Sequence, residues 1–247
     1  MNRIMLWGSV CLLLVIPVAG WGAEQTMTKE QMKKLVMEVI QENPGLVYDA
    51  YKKQEAKVKE EQARQGLDNA FKERVNDEVS KDNPSKGSDK APVIIISYMD
   101  FQCPFCSRAN TTLDRVFKMY PGKIRMVFKN KVIASHAQAL PAARAALAAY
   151  KQGKFWEYHD RLFQNASTLN DAQYTSIASS MGLDLTRFEK DRASDAISWQ
   201  IQKEEADFAR AGLSGVPCFI INGVVVRGAK SADYFKQIID RLLKEKK

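Results

Sequence analysis

Apolar positions recur at helical spacing early in the chain and give way to compact apolar runs farther along. Met32, Leu35, Val36, Val39 and Ile40 stand at i, i+3, i+4, i+7 and i+8, one stripe of a helix, and Thr28 with Gln31 forms a capping box before it. Asn43-Pro44 stops that helix and starts another. The second is apolar at Leu46, Val47, Ala50 and Tyr51, almost wholly polar from Lys52 to Gln65, and striped again at Leu67, Phe71, Val75 and Val79. Such a stripe needs a partner surface, either the remainder of the chain or the same helices of other copies. Residues 23–80 are therefore predicted to form a helical arm. The stretch 81–91, with Asn83-Pro84, Gly87 and several charges, is predicted to be a linker.

From Pro92 onward the pattern changes. Val93 to Met99 is a near-continuous apolar run, as expected of a strand covered on both faces. A helix is predicted from about Pro104 to Tyr120, with Leu113, Val116 and Phe117 inward, and Ile124 to Phe128 reads as the next strand. Helical segments fill about 135–211, broken at Gly153, Asn170-Asp171 and Gly182. Their aromatics Phe155, Trp156, Tyr158 and Phe163 fall at helical spacings and read as core. Cys218 to Ile221 and Val224 to Arg227 flank Asn222-Gly223, a two-residue hairpin signal, and Ser231 to Lys244 closes with a helix. The order is α/β: a thioredoxin-like fold over residues 92–247, with an inserted helical domain at about 135–211, preceded by the α-helical N-terminal arm.

Residues 1–22 read as a signal peptide: Arg3, then an apolar stretch from Ile4 to Ala19, then small residues. Cys11 lies inside that stretch and would be lost with it. Three cysteines would remain, Cys103, Cys106 and Cys218, and an odd count argues against a structural disulfide framework. The net charge of +8 is spread along the chain with acids interleaved, so solvated faces are expected rather than a nucleic-acid site.

The chemistry concentrates in Cys103-Pro104-Phe105-Cys106, placed directly after an apolar run and at the first turn of a predicted helix. Two cysteines at that spacing can close a small disulfide ring, and the free N–H groups and dipole of a helix N-terminus stabilise a thiolate. Cys103, the N-terminal and more exposed of the two, is the expected attacking sulfur. A zinc site would need two more ligands, and the chain has no second CxxC and only two histidines. No metal and no cofactor beyond a redox-active Cys103–Cys106 disulfide is expected.

Several stretches resemble the DsbA family of bacterial envelope thiol-disulfide oxidoreductases: Tyr98 to Cys106, Ser135-His136 with the alanine-rich helix after it, Gly153 to His159, and Gly215-Val216-Pro217 running into Ile221-Asn222-Gly223. The arm, with Glu42-Asn43-Pro44 before a long charged helix, resembles the ScsC-like and Com1-like branch. The resemblance implies a periplasmic or other extracytoplasmic location, protein substrates with cysteines, and a membrane or periplasmic redox partner. It also implies a cis peptide before Pro217 beside the CxxC, with Val216 offering main-chain hydrogen bonds to an extended substrate. In ScsC-like relatives such arms can assemble trimers, so a homo-oligomer is a further expectation.

Two positions depart from that pattern. Many family members carry a buried acid six residues before the nucleophile, where this chain has Ser97, and Cys218 replaces the usual Thr or Ala after the proline. Proton transfer at Cys106 must then use water, Asp100 or another group, which makes Asp100 either a candidate proton relay or a turn-shaping residue. Cys218 reads as a small buried hydrophobe. Phe105 can neither donate a hydrogen bond nor carry charge, so the Cys103 pKa is expected to be depressed but not extreme, within about 3.5 to 7.5. Arg108 reads as a solvated helix-face residue, and His136 and His159 as structural.

The leading expectation is therefore a protein disulfide oxidoreductase or isomerase working through Cys103 and Cys106, with Pro104 and Phe105 as its active-site dipeptide and Val216 and Pro217 as substrate-binding residues. A monomeric dithiol oxidase of the DsbA type is one alternative. An envelope protein binding Cu(I) through the same thiolates is another, since soft thiolates suit that ion. An oligomeric holdase acting through the arm alone is a third.

Overall fold

The computed structural model describes residues 27–245, so the expected signal segment and Cys11 lie outside the described residues. Two compact units divide at Glu60 and Glu61.

The first unit is helical. α1 (Lys29–Glu42) opens on the capping box read in the sequence, with the Gln31 N–H donating to Thr28 Oγ1 at 3.3 Å and the Thr28 N–H donating to Gln31 Oε1 at 2.9 Å. Asn43 ends it, donating to the Val39 carbonyl from both its backbone and its side chain, and α2 (Pro44–Lys72) begins at the proline. The α1 stripe stays open to solvent, from 39% exposure at Ile40 to 53% at Met32. Leu46, Val47, Tyr48 and Tyr51 of α2 are exposed as well.

The second unit begins in the last turns of α2, where Leu67 and Phe71 are buried. The helix stops at Lys72, and here the helical arm predicted to residue 80 is corrected. Val75 and Val79 continue no helical stripe. They belong to an extended strap and pack against Ile96, Tyr98, Phe208 and Ile220. The Val75 N–H donates to the Gly223 carbonyl at 2.9 Å, so the strap takes its backbone bond from a hairpin turn rather than from its own helix. Gly223, at φ +90, leaves room for it: a Cβ there would come within 3.0 Å of Arg74 Cβ.

The predicted linker is also tied down. Within it, β1 (Ser85–Lys86) pairs antiparallel with a sheet strand, the Pro84 carbonyl accepts the Phe128 N–H at 2.9 Å, and Asn83 is buried. Turn-forming residues mark a loop in the sequence, but an open sheet edge offers unpaired backbone groups that a short strand can satisfy.

The remaining elements follow in chain order: β2 (Val93–Met99), α3 (Pro104–Met119), β3 (Ile124–Asn130), α4 (Ala139–Tyr150), α5 (Phe155–Gln164), α6 (Asp171–Ser180), α7 (Leu185–Arg192), α8 (Asp195–Arg210), β4 (Cys218–Ile221), β5 (Val224–Arg227) and α9 (Ala232–Glu245). The strands form one sheet in the order β1-β3-β2-β4-β5. β2 and β3 are parallel, and β4 runs antiparallel to β2 with Cys218 opposite Tyr98. A parallel neighbour requires a crossover, which α3 supplies, and burial on both faces explains why β2 reads as an unbroken apolar run. One sheet face packs on α3, α9 and the helical insertion, and the other on Phe208 of α8 and the strap.

β3 runs two residues past the predicted Phe128, through Lys129 and Asn130. Both are buried because distant acids meet them. The Lys129 ammonium lies 2.7 Å from Asp77 of the strap and 3.0 Å from Asp207 of α8, and Glu204 accepts from the Asn130 N–H at 2.7 Å. Among the described residues no helix is long and apolar enough to cross a membrane.

Candidate active site

Cys103 is the N-cap of α3, with extended backbone, Pro104 in the first helical position and no side-chain cap. The site therefore forms where the helix leaves its first N–H groups without intrahelical partners. Cys106 lies one turn on and is fully buried, whereas Cys103 is 5% exposed, so Cys103 is the more accessible sulfur.

The two thiols are driven apart in acidity. A hydrogen bond from the Cys106 side chain, with further bonds from the backbone N–H groups of Cys106 and Phe105, holds Cys103 down at about 6, against the opposing effects of burial and Asp100. Burial pushes the Cys106 thiol up, and its hydrogen bond to Cys103 adds to that. One sulfur is thus a thiolate at neutral pH while its neighbour keeps a proton. Cys103, Cys106 and Cys218 are free thiols.

Asp100 ties this turn to the loop after β3. Its Oδ1 accepts the Gln102 N–H at 2.7 Å, and its Oδ2 accepts the Ile133 N–H at 2.9 Å and lies 3.0 Å from His136 Nδ1. Its backbone N–H donates to Cys106 Sγ at 3.5 Å. Ser97, six residues before Cys103, is buried and donates to the Val127 carbonyl at 3.0 Å.

A second chain of contacts, with no signature in the sequence, joins the site to the insertion. Gln102 Oε1 accepts the Gln138 N–H at 2.8 Å, and the Tyr174 hydroxyl donates to Gln138 Oε1 at 3.0 Å. No local pattern marks these residues, because each partner is tens of positions away.

The peptide Val216-Pro217 is cis, and the Pro217 carbonyl accepts the Gly228 N–H at 2.8 Å. The pairing of Cys218 with Tyr98 sets this loop beside the end of β2 that leads to Cys103, and Val216 packs against the same core cluster as Cys103 and Cys106. Cys218 lies in the cluster on the opposite sheet face, and burial pushes its thiol up to about 11.

The rim of the site is open. Phe105 is 53% exposed, and the Arg108 guanidinium sits 4.4 Å from its ring centroid. His159 is enclosed by Phe101, Phe128, Phe155, Trp156 and Phe163, with ring centroids 4.9 to 5.6 Å away. Burial lowers its pKa while Asp160, 2.8 Å from Nδ1, opposes that. It therefore fills core space beneath the site.

Comparison with known proteins agrees with this geometry. Residues 79–241 match the Thioredoxin_4 family, described as thioredoxin. A thioredoxin-like oxidoreductase from Silicibacter pomeroyi is 26% identical, with a TM-score of 0.61 over 67% of this chain and 94% of that one. The fold is shared with alpha-DsbA1 from Wolbachia pipientis, 21% identical with a TM-score of 0.61 over 68% of this chain and 94% of that one. It is shared too with a linker-deleted ScsC from Proteus mirabilis, 21% identical with a TM-score of 0.58 over 90% of this chain and 100% of that one. Among curated proteins, a Na(+)/H(+) antiporter NhaA 3 from Salinispora tropica is 33% identical over 139 residues, which is 56% of this chain and 21% of that protein. The chain thus spans about a fifth of the length of that relative. By its family match and its fold, the chain belongs to the thioredoxin family, in the form seen in the DsbA and ScsC structures.

Proposed function

We propose that this protein is a thiol-disulfide oxidoreductase that exchanges disulfides with cysteine-containing proteins through Cys103 and Cys106. The observation that carries the reading is the opposed acidity of the two thiols at one helix N-terminus, Cys103 held at about 6 and Cys106 pushed up. A low-pKa sulfur is both a ready nucleophile and a ready leaving group, and a buried protonated neighbour waits to resolve the intermediate.

In the oxidising direction a substrate thiolate attacks Cys103 Sγ of the Cys103–Cys106 disulfide. The ring opens, and Cys106 leaves as a thiolate and takes a proton. A second substrate thiolate attacks the substrate sulfur of the mixed disulfide and expels the Cys103 thiolate, so two electrons pass from substrate to protein. The reverse sequence reduces a substrate disulfide, and repeated attack by reduced Cys103 isomerises one. Water reaching the Cys103 rim, or Asp100 through the turn it anchors, carries the Cys106 proton. The backbone of Val216, beside Pro217, receives the extended substrate chain, since an edge with free N–H and C=O groups binds a guest strand, while the Pro217 carbonyl stays on the Gly228 N–H.

The exposed stripe of α1 and the start of α2 support a second element: copies of the chain associate through the arm, as a trimer, and present several CxxC pairs to one client. That arrangement suits isomerisation. An extracytoplasmic space, with a redox partner that resets Cys103 and Cys106, suits a pair that must cycle.

The test is recovery of a scrambled-disulfide substrate by the full chain, beside a Leu35→Glu/Val39→Glu double variant, with molar mass from light scattering. Recovery and a larger-than-monomer mass, both lost in the variant, are expected. Oxidation of reduced substrate by a monomer that leaves scrambled substrate untouched would replace the isomerase reading with a dithiol oxidase. Tight stoichiometric Cu(I) capture without any disulfide turnover would overturn the enzyme reading.

A further inference from the structure

The open rim of the site carries an arginine with no acid to hold. Phe105 is 53% exposed, and Arg108, three residues on, lays its guanidinium 4.4 Å from the ring centroid. Side chains three apart on a helix meet in this way and lean toward the helix N-terminus, here the end capped by Cys103. Several arginines elsewhere in the same unit are held by acids, Arg74 by Glu245, Arg192 by Asp171 and Glu189, and Arg241 by Asp68, while Arg144 and Arg161 donate to carbonyl or hydroxyl oxygens. Among the described residues the Arg108 guanidinium forms no ion pair and rests on the Phe105 face.

A protein segment whose cysteine reaches Cys103, the cap of this same helix, lays its flanking residues beside Arg108.

We propose that the site selects cysteine segments bearing an acidic residue beside the reacting cysteine, and that Arg108, held flat on Phe105, is the specificity-determining residue. This rests on the exchange reading above. A guanidinium presents a planar fork of donors that matches a carboxylate. Its stacking on Phe105 orders it in advance, so less freedom is lost when the acid arrives. Complementary charge at a rim acts chiefly on encounter and selection.

The test uses the protein with its Cys103–Cys106 disulfide formed and two synthetic dithiol peptides, identical except for Glu or Lys beside the first cysteine. Each turnover transfers two electrons from the peptide dithiol to the protein disulfide, leaving a peptide disulfide and reduced Cys103 and Cys106. Rates are normalised to the reaction of each peptide with oxidised glutathione, which removes the effect of the neighbour on the peptide's own thiol. The Glu peptide is expected to react about three- to ten-fold faster at low ionic strength, a preference that narrows as salt is added. Arg108→Gln should bring the ratio toward one, and Arg108→Glu should invert it.

A ratio near one in the native protein, or a ratio unmoved in both variants, overturns the proposal. So does a loss in which both peptides change together while the pH midpoint of Cys103 alkylation moves, because that result makes Arg108 a thiolate stabiliser rather than a selector. Oxidation of neither peptide would instead sink the exchange reading itself.

Discussion

The backbone N–H of Asp100 donates to Cys106 Sγ at 3.5 Å, while the carboxylate of the same residue holds the Gln102 and Ile133 N–H groups and His136. A single buried acid thus shapes the turn before Cys103, anchors the loop after β3, and places a donor on the Cys106 sulfur. Its charge meanwhile disfavours ionisation of both cysteines.

Those two effects separate in variants. Asp100→Asn keeps the size and an acceptor but removes the charge, so the Cys103 pKa should fall below about 6. Asp100→Ala also strands buried N–H groups and should cost about 2 to 4 kcal/mol in urea unfolding. An iodoacetamide titration of Asp100→Asn with an unmoved midpoint would show that the charge does not reach Cys103.

Alkylation of the reduced native protein should titrate with a midpoint of about 6 at Cys103, well under the ordinary thiol value of about 8.5. The sign for stability follows from the same shift. Because the folded pKa of Cys103 is depressed, its contribution is fully present above about 8.5 and is lost as pH falls toward 6. Cys106, raised by burial, acts oppositely and loses its contribution as pH rises above its ordinary value. Reduced protein should therefore gain stability relative to the disulfide form between about pH 6 and 8.5, and a flat difference across that window would contradict it. Cys106→Ala removes the main bond to the thiolate and should move the Cys103 midpoint upward.

Lys129→Met tests the buried ionic junction. The ammonium is fully enclosed between Asp77 at 2.7 Å and Asp207 at 3.0 Å, so its loss strips Asp77 of its cation and leaves Asp207 only the more exposed Lys203 and Arg210. A destabilisation of about 3 to 5 kcal/mol is expected, with faster proteolysis within the strap from Val75 to Asn83. Unchanged unfolding would mean that the pair is solvated in a way its burial does not show.

Cys218→Ala should leave disulfide exchange within about two-fold of native, because burial holds that thiol protonated at neutral pH. In reduced native protein at pH 7 only Cys103 should alkylate rapidly. Rapid labelling of Cys218, read by peptide mass mapping, would assign it a redox role instead.

At Glu204 burial raises the pKa to about 6, although Asn83, Asn130 and Gln200 all donate to it. A raised carboxylate contributes stability that is fully present below its unfolded value of about 4.3 and lost as pH rises through about 6. The stability curve of Glu204→Gln should lack that component. Parallel curves for native and variant between pH 4 and 7 would exclude it.

The sequence by itself determined the elements whose causes are local. The capping box at Thr28, the proline at the start of α2, the apolar run of β2, the Asn222-Gly223 turn and the Cys103-Pro104-Phe105-Cys106 helix start all rest on neighbouring residues, and all lie where the pattern put them. Only the tertiary structure decided the features whose cause is remote. Lys129 and Asn130 read as a polar strand end until Asp77, Asp207 and Glu204 bury them. Val75 and Val79 read as one more helical turn until the sheet face and the Gly223 carbonyl take them. At the site the cysteine pair at the start of α3 was legible, but its setting was not. The bonds from Asp100 to Ile133 and His136, and from Gln102 to Gln138, join positions more than thirty residues apart, and no periodicity or spacing along one chain encodes which distant donor will satisfy a buried acceptor.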